Sequence, residues 1–425
     1  MQIYFFIYTI GCQMNVNESD ILSEALSNYG LLKSKTVDKA NLIIINTCSV
    51  REHAEHKAFS LFGRLTQQYK QSKIVVIGCM AEYLEQIIKQ RFKDIDLIIS
   101  QRYNNMQSVA SKIIKILYIN SNIPLLTTTI QKQNNNKIVN YITIIKGCSN
   151  YCAYCIVPFV KGNEQSLEYN DILKECTLMV TNGTREIVLL GQNVNAYNNN
   201  SINFSTLIKN IAKIKDLLRI RFMTNHPKDF TDELIQTIAS TAKVCTNIHL
   251  PMQSASNKIL HNMNRQYDYE YYVNLINKLR NSISNINITT DIIVGFPNET
   301  EKDFYETLDA IKYIKFGKIY VFKYSPRRFT YASKFIDNVS YYDKQKRHIK
   351  ILEEAKKISS KIITDMVGSN QEILIESYIN NTLEGKTKHG YKVLLSNKYN
   401  INLGKIINVK ITGIKGTSLI SNKIV

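Results

Sequence analysis

Short continuous apolar runs alternate with amphipathic stretches along most of this chain. In the first third the alternation occurs three times. Residues 3–10, 42–45 and 74–77 are apolar runs, and helical periodicity follows over about 17–29, 52–69 and 81–90. An unbroken apolar run suits a strand buried on both faces, which a parallel sheet flanked by helices provides. The pattern therefore predicts an α/β domain with a parallel sheet over residues 1–118. Each run ends at a short junction carrying a cysteine: Gly11-Cys12, Asn46-Thr47-Cys48 and Gly78-Cys79. Strand ends that lead into helices share one edge of such a sheet, where ligands bind. Cys12, Cys48 and Cys79 are expected to converge there. Thiolates at helix N-termini also gain from the dipole and the free N–H groups.

A polar low-complexity stretch that includes 131–137 reads as a linker or solvated loop. A second alternating block spans 134–362. Its candidate strands are 142–145, 186–190, 219–222, 247–250, 288–294 and 318–324, with helices between most of them. That order fits a full or partial (β/α) barrel. From 365 to 425 the texture changes to short strands at 371–379, 391–396, 405–414 and 418–420, a small β-domain.

Composition narrows the class. Hydrophobic residues make up 44% and charged residues 21% of the 425. This balance excludes a wholly disordered chain, a collagen and a coiled-coil rod. Lys+Arg is 54 against Asp+Glu 35, a net charge of +19 that favours a polyanionic partner. The chain is also crowded with Ile, Asn, Lys and Tyr, so compositional bias accounts for the charge equally well. Residues 368–425 hold eight lysines and three glutamates. A small basic β-barrel commonly binds RNA, which is favoured here over a packing module. Lys386, Lys388 and Lys392 fall in and after a turn from which they are expected to reach a nucleic-acid backbone. No membrane span or secretory signal is evident, since the run at 3–10 is too short and follows no basic residue. A cytoplasmic location is expected, with reduced thiols.

The densest chemistry is Gly147-Cys148-Ser149-Asn150-Tyr151-Cys152-Ala153-Tyr154-Cys155. Three closely spaced thiolates can ligate three irons of a 4Fe–4S cluster and leave the fourth open. Zinc sites usually show paired arms and a fourth ligand, and neither is present locally. Tyr154 precedes the last cysteine, where an adenine is expected to pack. Gln192 and Asn193 end a strand on the active face and are candidates to contact a cofactor or RNA, whereas Gly191 could serve only the turn. His226 and His249 also lie at strand ends, where ligand contact and a structural role are equally compatible with the sequence. Cys176 and Cys245 sit in apolar contexts and read as buried thiols. Arg51 and Lys57 follow the second N-terminal cysteine, either to meet phosphate or on a solvated face.

These motifs together resemble the methylthiotransferase family of radical S-adenosylmethionine enzymes. The resemblance rests on the Cys148, Cys152, Cys155 triplet and on Gly11-Cys12-Gln13-Met14-Asn15, Asn46-Thr47-Cys48-Ser49-Val50-Arg51-Glu52 and Gly78-Cys79-Met80. It extends to Gly191-Gln192-Asn193-Val194-Asn195, His249-Leu250-Pro251-Met252-Gln253-Ser254, the segment 290–297, and Tyr324-Ser325-Pro326-Arg327. It covers nearly the whole chain and makes the C-terminal β-domain similar to a TRAM domain. The resemblance implies two 4Fe–4S clusters. One, on Cys148, Cys152 and Cys155, binds and reductively cleaves S-adenosylmethionine, and the other, on Cys12, Cys48 and Cys79, holds the sulfur to be delivered. It further implies methylthiolation at C2 of N6-isopentenyladenosine 37 in tRNA, an electron donor such as flavodoxin or ferredoxin, iron–sulfur assembly proteins, and a monomer. Two branches that share the cysteines act on threonylcarbamoyladenosine in tRNA or on a ribosomal protein. The string around Cys12 and Cys48 favours the isopentenyladenosine branch. A non-catalytic iron–sulfur RNA-binding protein is the remote alternative. The chain departs from the family pattern at Lys161 and Leu167, where arginines are usual, and at Ala255 and Phe329, where glycines are usual. Lysine at 161 keeps the charge but loses the bidentate fork.

Overall fold

The computed structural model describes residues 2–49, 52–100, 102, 105–118, 137–396 and 401–425. Val50, Arg51, the stretch 131–136 and Lys398 therefore lie outside the described residues. The chain forms two compact units, Met1–Asn134 with Lys146–Ser149 and Cys155–Glu164, and Asn135–Ile145 with Asn150–Tyr154 and Gln165–Val425.

In the first unit a five-stranded parallel sheet forms as the apolar runs require. Its strands are β1 (Tyr4–Thr9), β2 (Leu32–Lys33), β3 (Leu42–Thr47), β4 (Lys73–Gly78) and β5 (Leu97–Ile99), in the order β2-β1-β3-β4-β5. Every residue of β3 is buried, as expected for the central strand of a sheet covered on both faces. One face packs on α1 (Gln13–Asn28) and α5 (Met106–Tyr118) through Leu22, Leu26, Val109 and Ile113. The other packs on α2 (Glu52–Gln68) through Ala58, Phe62 and Leu65. The helix expected over 81–90 is two short helices, α3 (Cys79–Tyr83) and α4 (Glu85–Arg91). Strands β2 and β5 and helix α5 were not anticipated. β2 and β5 hold two and three residues, too few to establish a periodicity. A further short helix, α6 (Val157–Lys161), packs its Val160 and the preceding Ile156 against Cys79.

The second unit opens with six parallel strands in two sheets of three. β6 (Val139–Thr143), β7 (Glu186–Leu190) and β8 (Arg219–Phe222) run in the order β8-β7-β6. β9 (Asn247–His249), β10 (Asn287–Val294) and β11 (Lys318–Lys323) form the other. An Ile220–Val244 bridge links β8 to the segment before β9. Helices α7 (Tyr169–Thr181), α8 (Phe204–Ala212), α9 (Asp232–Ser240), α10 (Asn257–Asn262), α11 (Tyr269–Ser282) and α12 (Glu301–Ile314) intervene. This is the partial (β/α) barrel expected, and its core of Ile, Leu, Val and Phe is the largest in the described residues.

After α13 (Tyr341–Asp365) comes one seven-stranded sheet. Its strands are β12 (Asn370–Ile379), β13 (Thr382–Thr387), β14 (Lys392–Ser396), β15 (Ile406–Lys410), β16 (Gly413–Lys415), β17 (Ser418–Ser421) and β18 (Lys423–Ile424). The order is β16-β17-β14-β13-β12-β15-β18, antiparallel except for β14 with β17. β13 was not foreseen because Gly385 and its charged neighbours interrupt any alternation of apolar side chains.

The turn after β13 does not point outward. Arg219 Nη1 donates to Lys386 O, and its Nη2 donates to Glu372 Oε1 at 3.0 Å. Arg221 Nη2 donates to Thr387 O at 3.3 Å, and Asn287 Nδ2 to His389 O at 2.7 Å. Arg219 and Arg221 of β8 and Asn287 of β10 thus grip residues 386–389. Lys388 Nζ donates to Ala242 O, while Lys386 pairs with Glu376 and Lys392 with Glu384. Those three lysines serve the β-domain's internal and docking contacts. Elsewhere in this domain Lys405, Lys410, Lys415 and Lys423 are exposed.

Candidate iron–sulfur and cofactor-binding sites

The N-terminal cysteines lie where the strand pattern put them. Cys12 caps α1, Cys48 follows β3, and Cys79 opens α3 directly after β4. Because β1, β3 and β4 are neighbours and parallel, their C-terminal ends fall side by side. Glycines let them close up. A Cβ on Gly11, whose φ is +151°, would stand 2.7 Å from Cys48 Cβ, and one on Gly78, at φ +101°, 2.2 Å from Thr47 O. A buried amide network fixes the edge: Asn15 Nδ2 donates to Asn46 Oδ1 at 3.0 Å and Thr47 O at 3.1 Å, and Asn46 Nδ2 returns to Asn15 O at 2.9 Å.

Cys48 hydrogen-bonds to both Cys12 and Cys79. The bond from Cys48 pulls Cys12 down to about 6, with help from the Asn15 and Met14 backbone. Cys79 is lowered by the same partner, and Cys48 is pushed up as the proton holder. The Lys161 ammonium adds to the pull on Cys79. Lys161 itself is buried; desolvation lowers its pKa, but Glu18, paired at 2.7 Å, together with the Cys79 and Cys12 charges raises it overall. The departure from arginine at 161 is thus met by a short ion pair inside the first unit. Among the described residues no His, Cys, Asp and Glu side chains are pre-set as a closed metal-ligand group. The donor set still fits a sulfide cluster: three thiols converge, Cys12 and Cys79 are both lowered, and a cation stands beside them.

The second triplet lies on a single loop, so the chain itself keeps Cys148, Cys152 and Cys155 close. Gly147, at φ +72°, lets the loop pass Asn163, where a Cβ would meet O at 2.1 Å. Cys148 N donates to Gly162 O at 3.2 Å. Residues 150–154 are tied to the loop after α10. Ala153 N donates to Met263 O at 2.9 Å, and Asn264 Nδ2 to Tyr151 O at 3.0 Å. Arg265, 3% exposed, is the centre of this junction. Its Nη1 reaches Cys152 Sγ at 3.3 Å and Tyr154 Oη at 3.2 Å, its Nε reaches Tyr267 Oη at 2.9 Å, and its Nη2 reaches Pro251 O at 3.1 Å. Nothing in the sequence near Arg265 marked it, because most of its partners are distant in the chain.

Among the described residues, buried atoms near the barrel's strand ends that lack a hydrogen-bond partner include Asn193 Oδ1, Asn225 Oδ1, His226 Nε2 and Gln253 Oε1. All follow the C-terminal ends of barrel strands. Asn193 is oriented by its own Nδ2, which donates to Asp229 at 2.7 Å. His226 Nδ1 accepts from Lys228 N, so the ring proton sits on Nε2. Burial lowers the His226 pKa, and nearby Arg265 and Lys228 lower it further, so the ring stays neutral. Three acceptors and one donor, each buried and unpaired, fit a ligand carrying amino and hydroxyl groups. His249 is instead satisfied by Thr289 Oγ1 at 3.0 Å and Asp291 Oδ2 at 3.3 Å. Gln192 follows β7 beside Asn193. Gly191 is needed for close approach, since a Cβ there would meet Ile145 Cγ2 at 2.3 Å. Asn225 and Gln253 were missed by sequence reasoning, although Gln253 lies in a quoted motif. Cys176 and Cys245 are buried, and desolvation raises both thiol pKa values, to about 12 and about 11. Leu167 packs against the barrel core and Ala255 N donates to Thr307 Oγ1, so both substitutions are accommodated.

Comparison with known proteins fits these sites. The Radical SAM superfamily profile matches residues 142–311, and uncharacterized protein family UPF0004 matches 4–100. A tRNA-2-methylthio-N(6)-dimethylallyladenosine synthase of Endomicrobium trichonymphae is 49% identical over 98% of each chain. Its counterpart in Clostridium botulinum is 38% identical over 99% of this chain and 97% of the relative. The one from Thermodesulfovibrio yellowstonii is 37% identical over 96% and 95%. Among solved structures, the radical S-adenosylmethionine methyltransferase TsrM from Kitasatospora setae, with cobalamin and a [4Fe-4S] cluster bound, superposes with a TM-score of 0.56. Its identity is 13%, over 78% of this chain and 77% of that one. At that identity the likeness concerns the fold.

Proposed function

We propose, from the premise that the chain belongs to the tRNA-2-methylthio-N(6)-dimethylallyladenosine synthase family, that its two cysteine sets divide one reaction between them. The chain is a radical S-adenosylmethionine methylthiotransferase of tRNA, with two 4Fe–4S clusters and S-adenosylmethionine as cofactors. Cys148, Cys152 and Cys155 hold the cluster that meets S-adenosylmethionine, and Cys12, Cys48 and Cys79 hold the other. When bound, these groups supply one-electron cleavage of the sulfonium, hydrogen abstraction at C2 of N6-isopentenyladenosine 37, and the sulfur and methyl that replace the hydrogen.

The chain's own residues bind and orient. Tyr154 offers a ring for the adenine, and Arg265 holds that ring's hydroxyl and Cys152 together. Gln192, Asn193, Asn225 and Gln253 present acceptors, and His226 Nε2–H a donor, to the polar ends of S-adenosylmethionine. Lys161 and Glu18 keep charge balanced beside Cys79 without opening the site to water. The domain division that follows is 1–118 for the N-terminal α/β domain, 134–362 for the radical core and 365–425 for a TRAM-like RNA-binding domain. Flavodoxin or ferredoxin as donor, iron–sulfur assembly proteins, a monomeric state and a cytoplasmic location complete the reading. No helix among the described residues is long and apolar enough to cross a membrane.

The observation that carries this reading is the convergence of Cys12, Cys48 and Cys79 at three adjacent strand ends, where Cys48 bonds to both of the others. Mass spectrometry of tRNA nucleosides from cells with and without the gene tests it. The methylthio-isopentenyl nucleoside should vanish with the gene, and isopentenyladenosine should accumulate. An unchanged nucleoside profile refutes the assignment.

A further inference from the structure

The connection between β11 and α13 carries a surface that nothing in the cysteine sites uses. Its residues 324–340 begin at the C-terminal end of a barrel strand, the end on which the ligand-facing residues lie. Two contacts fix it beside the cysteine loop. Ala332 N donates to Ala153 O at 2.7 Å, and Tyr324 Oη donates to Ala332 O at 2.9 Å. Ala153, Phe296, Tyr324 and Ala332 share one small core, against which Tyr154 and Phe335 pack.

From this anchored base two rings stand in solvent. Phe329 is 60% exposed and Tyr331 64% exposed. Tyr331 rests edge-on against Phe335, with centroids 5.5 Å apart, which sets its orientation. Arg328 lies over the Phe329 ring, 5.7 Å from its centroid. Further along, Lys323 Nζ sits 4.4 Å from the centre of the exposed Tyr341 ring. From Lys323 to Lys350 there are eight Lys/Arg and two Asp. Phe329 also has a φ of +69°. A bulky side chain in the left-handed region is an outlier, and glycine or asparagine is its ordinary occupant. Full burial does not compensate this strain, because Phe329 is 60% exposed. Exposed strain of this kind clusters at ligand clamps.

We propose that Phe329 and Tyr331, with Arg328, form a stacking shelf for unstacked bases of single-stranded RNA at the mouth of the barrel. Exposed aromatics supply sequence-tolerant stacking, and interleaved cations meet the phosphates. An apolar protein partner suits the shelf less, because it would bury Arg328 and its neighbours against uncharged groups. The inference rests on the tRNA reading above and names where the anticodon loop lies.

The test measures binding of a synthetic anticodon stem-loop RNA, with N6-isopentenyladenosine at position 37, across a salt series. Three full-length variants are compared with the parent: Phe329→Asn, Tyr331→Ala and Arg328→Ala. Asparagine accepts the left-handed backbone, so Phe329→Asn should keep or raise Tm while removing the ring. Loss of one stacked base should weaken binding roughly 5- to 150-fold. For the two ring variants the salt slope should stay as in the parent, because the phosphates keep all their cations. Arg328→Ala should flatten the slope by roughly 0.7 log units per log unit of salt. Parental affinity in both ring variants overturns the shelf, and so does a loss that disappears at high salt. If the parent itself fails to bind the stem-loop, the tRNA reading and the shelf fall together.

Discussion

Replacing Arg265 with Met should loosen residues 150–154 without unfolding the barrel. The guanidinium is buried and spends its donors on four partners: Cys152, Tyr154, Tyr267 and Pro251. Met fills similar volume and restores none of them. The losses are unequal. Pro251 O keeps a donor, since Tyr267 Oη also reaches it at 3.1 Å. Tyr267 Oη loses an incoming bond but still donates. Cys152 and Tyr154 are only half-buried and can turn to water. Removing a buried cation also recovers part of its desolvation cost. The net loss is then about two ordinary hydrogen bonds, or about 2 kcal/mol, acting on loop opening rather than on the whole fold. That is roughly a 30-fold shift in the opening equilibrium. Ala153 N, bonded to Met263 O, is the amide that reads it. Hydrogen exchange followed by mass spectrometry should show peptides covering 150–154 exchanging roughly 30-fold faster, with barrel strands unchanged. Arg265→Lys should rescue only partly, because one ammonium cannot span four partners. Unaltered protection at 150–154 in Arg265→Met would show that the loop is held by its backbone bonds alone. The assigned role of Arg265 would then be wrong.

Other outcomes are expected. Converting Cys148, Cys152 and Cys155 together to Ala should leave about four irons per reconstituted chain and no cleavage of S-adenosylmethionine; iron analysis checks this, and an iron-free protein contradicts two separate sites. Cys48→Ala should stop methylthio product while cleavage to 5′-deoxyadenosine persists, as chromatography of both products will show. Arg221→Met leaves Glu186 buried and unpaired where the two now meet at 2.7 Å, so urea unfolding should register a loss of about 3–5 kcal/mol, with Arg221→Met/Glu186→Leu recovering most of it. His226 is held neutral when folded but charges freely when unfolded, so the unfolded state takes up a proton as pH falls below about 6.5. Between that pH and about 5 this costs about 2 kcal/mol of stability, which His226→Gln should abolish in acid-side unfolding curves.

Much of the scaffold was legible because local chemistry determined it. The strands at 186–190 and 219–222 appear as expected, and the N-terminal strands agree within two residues. Each is an apolar run whose only stable setting is a sheet covered on both faces. The cysteine convergence was legible for the same reason: parallel strands put like ends together, whatever lies between them in sequence. What escaped was short or irregular. β2, β5 and β18 contain two or three residues, and β13 has charged residues on its outer face and a glycine within it.

The lysines of this turn show where sequence reasoning ends. Lys386, Lys388 and Lys392 looked like a basic turn free to meet RNA, since charge and turn propensity are both local. Their direction is not local. It is set by Arg219 and Arg221, two arginines on a barrel strand more than 160 residues earlier in the chain, which take the carbonyls of 386–388. Carbonyl oxygens drawn toward buried guanidinium groups force the turn inward, and Lys386 and Lys388 follow to Glu376, Glu372 and Ala242 O. Lys405, Lys410, Lys415 and Lys423 are exposed, and they are the lysines through which this domain is expected to meet phosphate if it binds RNA. Charge reversal at Lys405 and Lys410 should weaken tRNA binding and flatten its salt dependence by roughly 0.7–0.9 log units for each phosphate that is no longer neutralised. Reversal at Lys388 should instead lower the unfolding midpoint, by putting a carboxylate against Ala242 O and Glu372. If Lys388 reversal flattens the salt slope while Lys405 and Lys410 reversal does not, the turn faces RNA after all, and the arginine grip does not hold in solution.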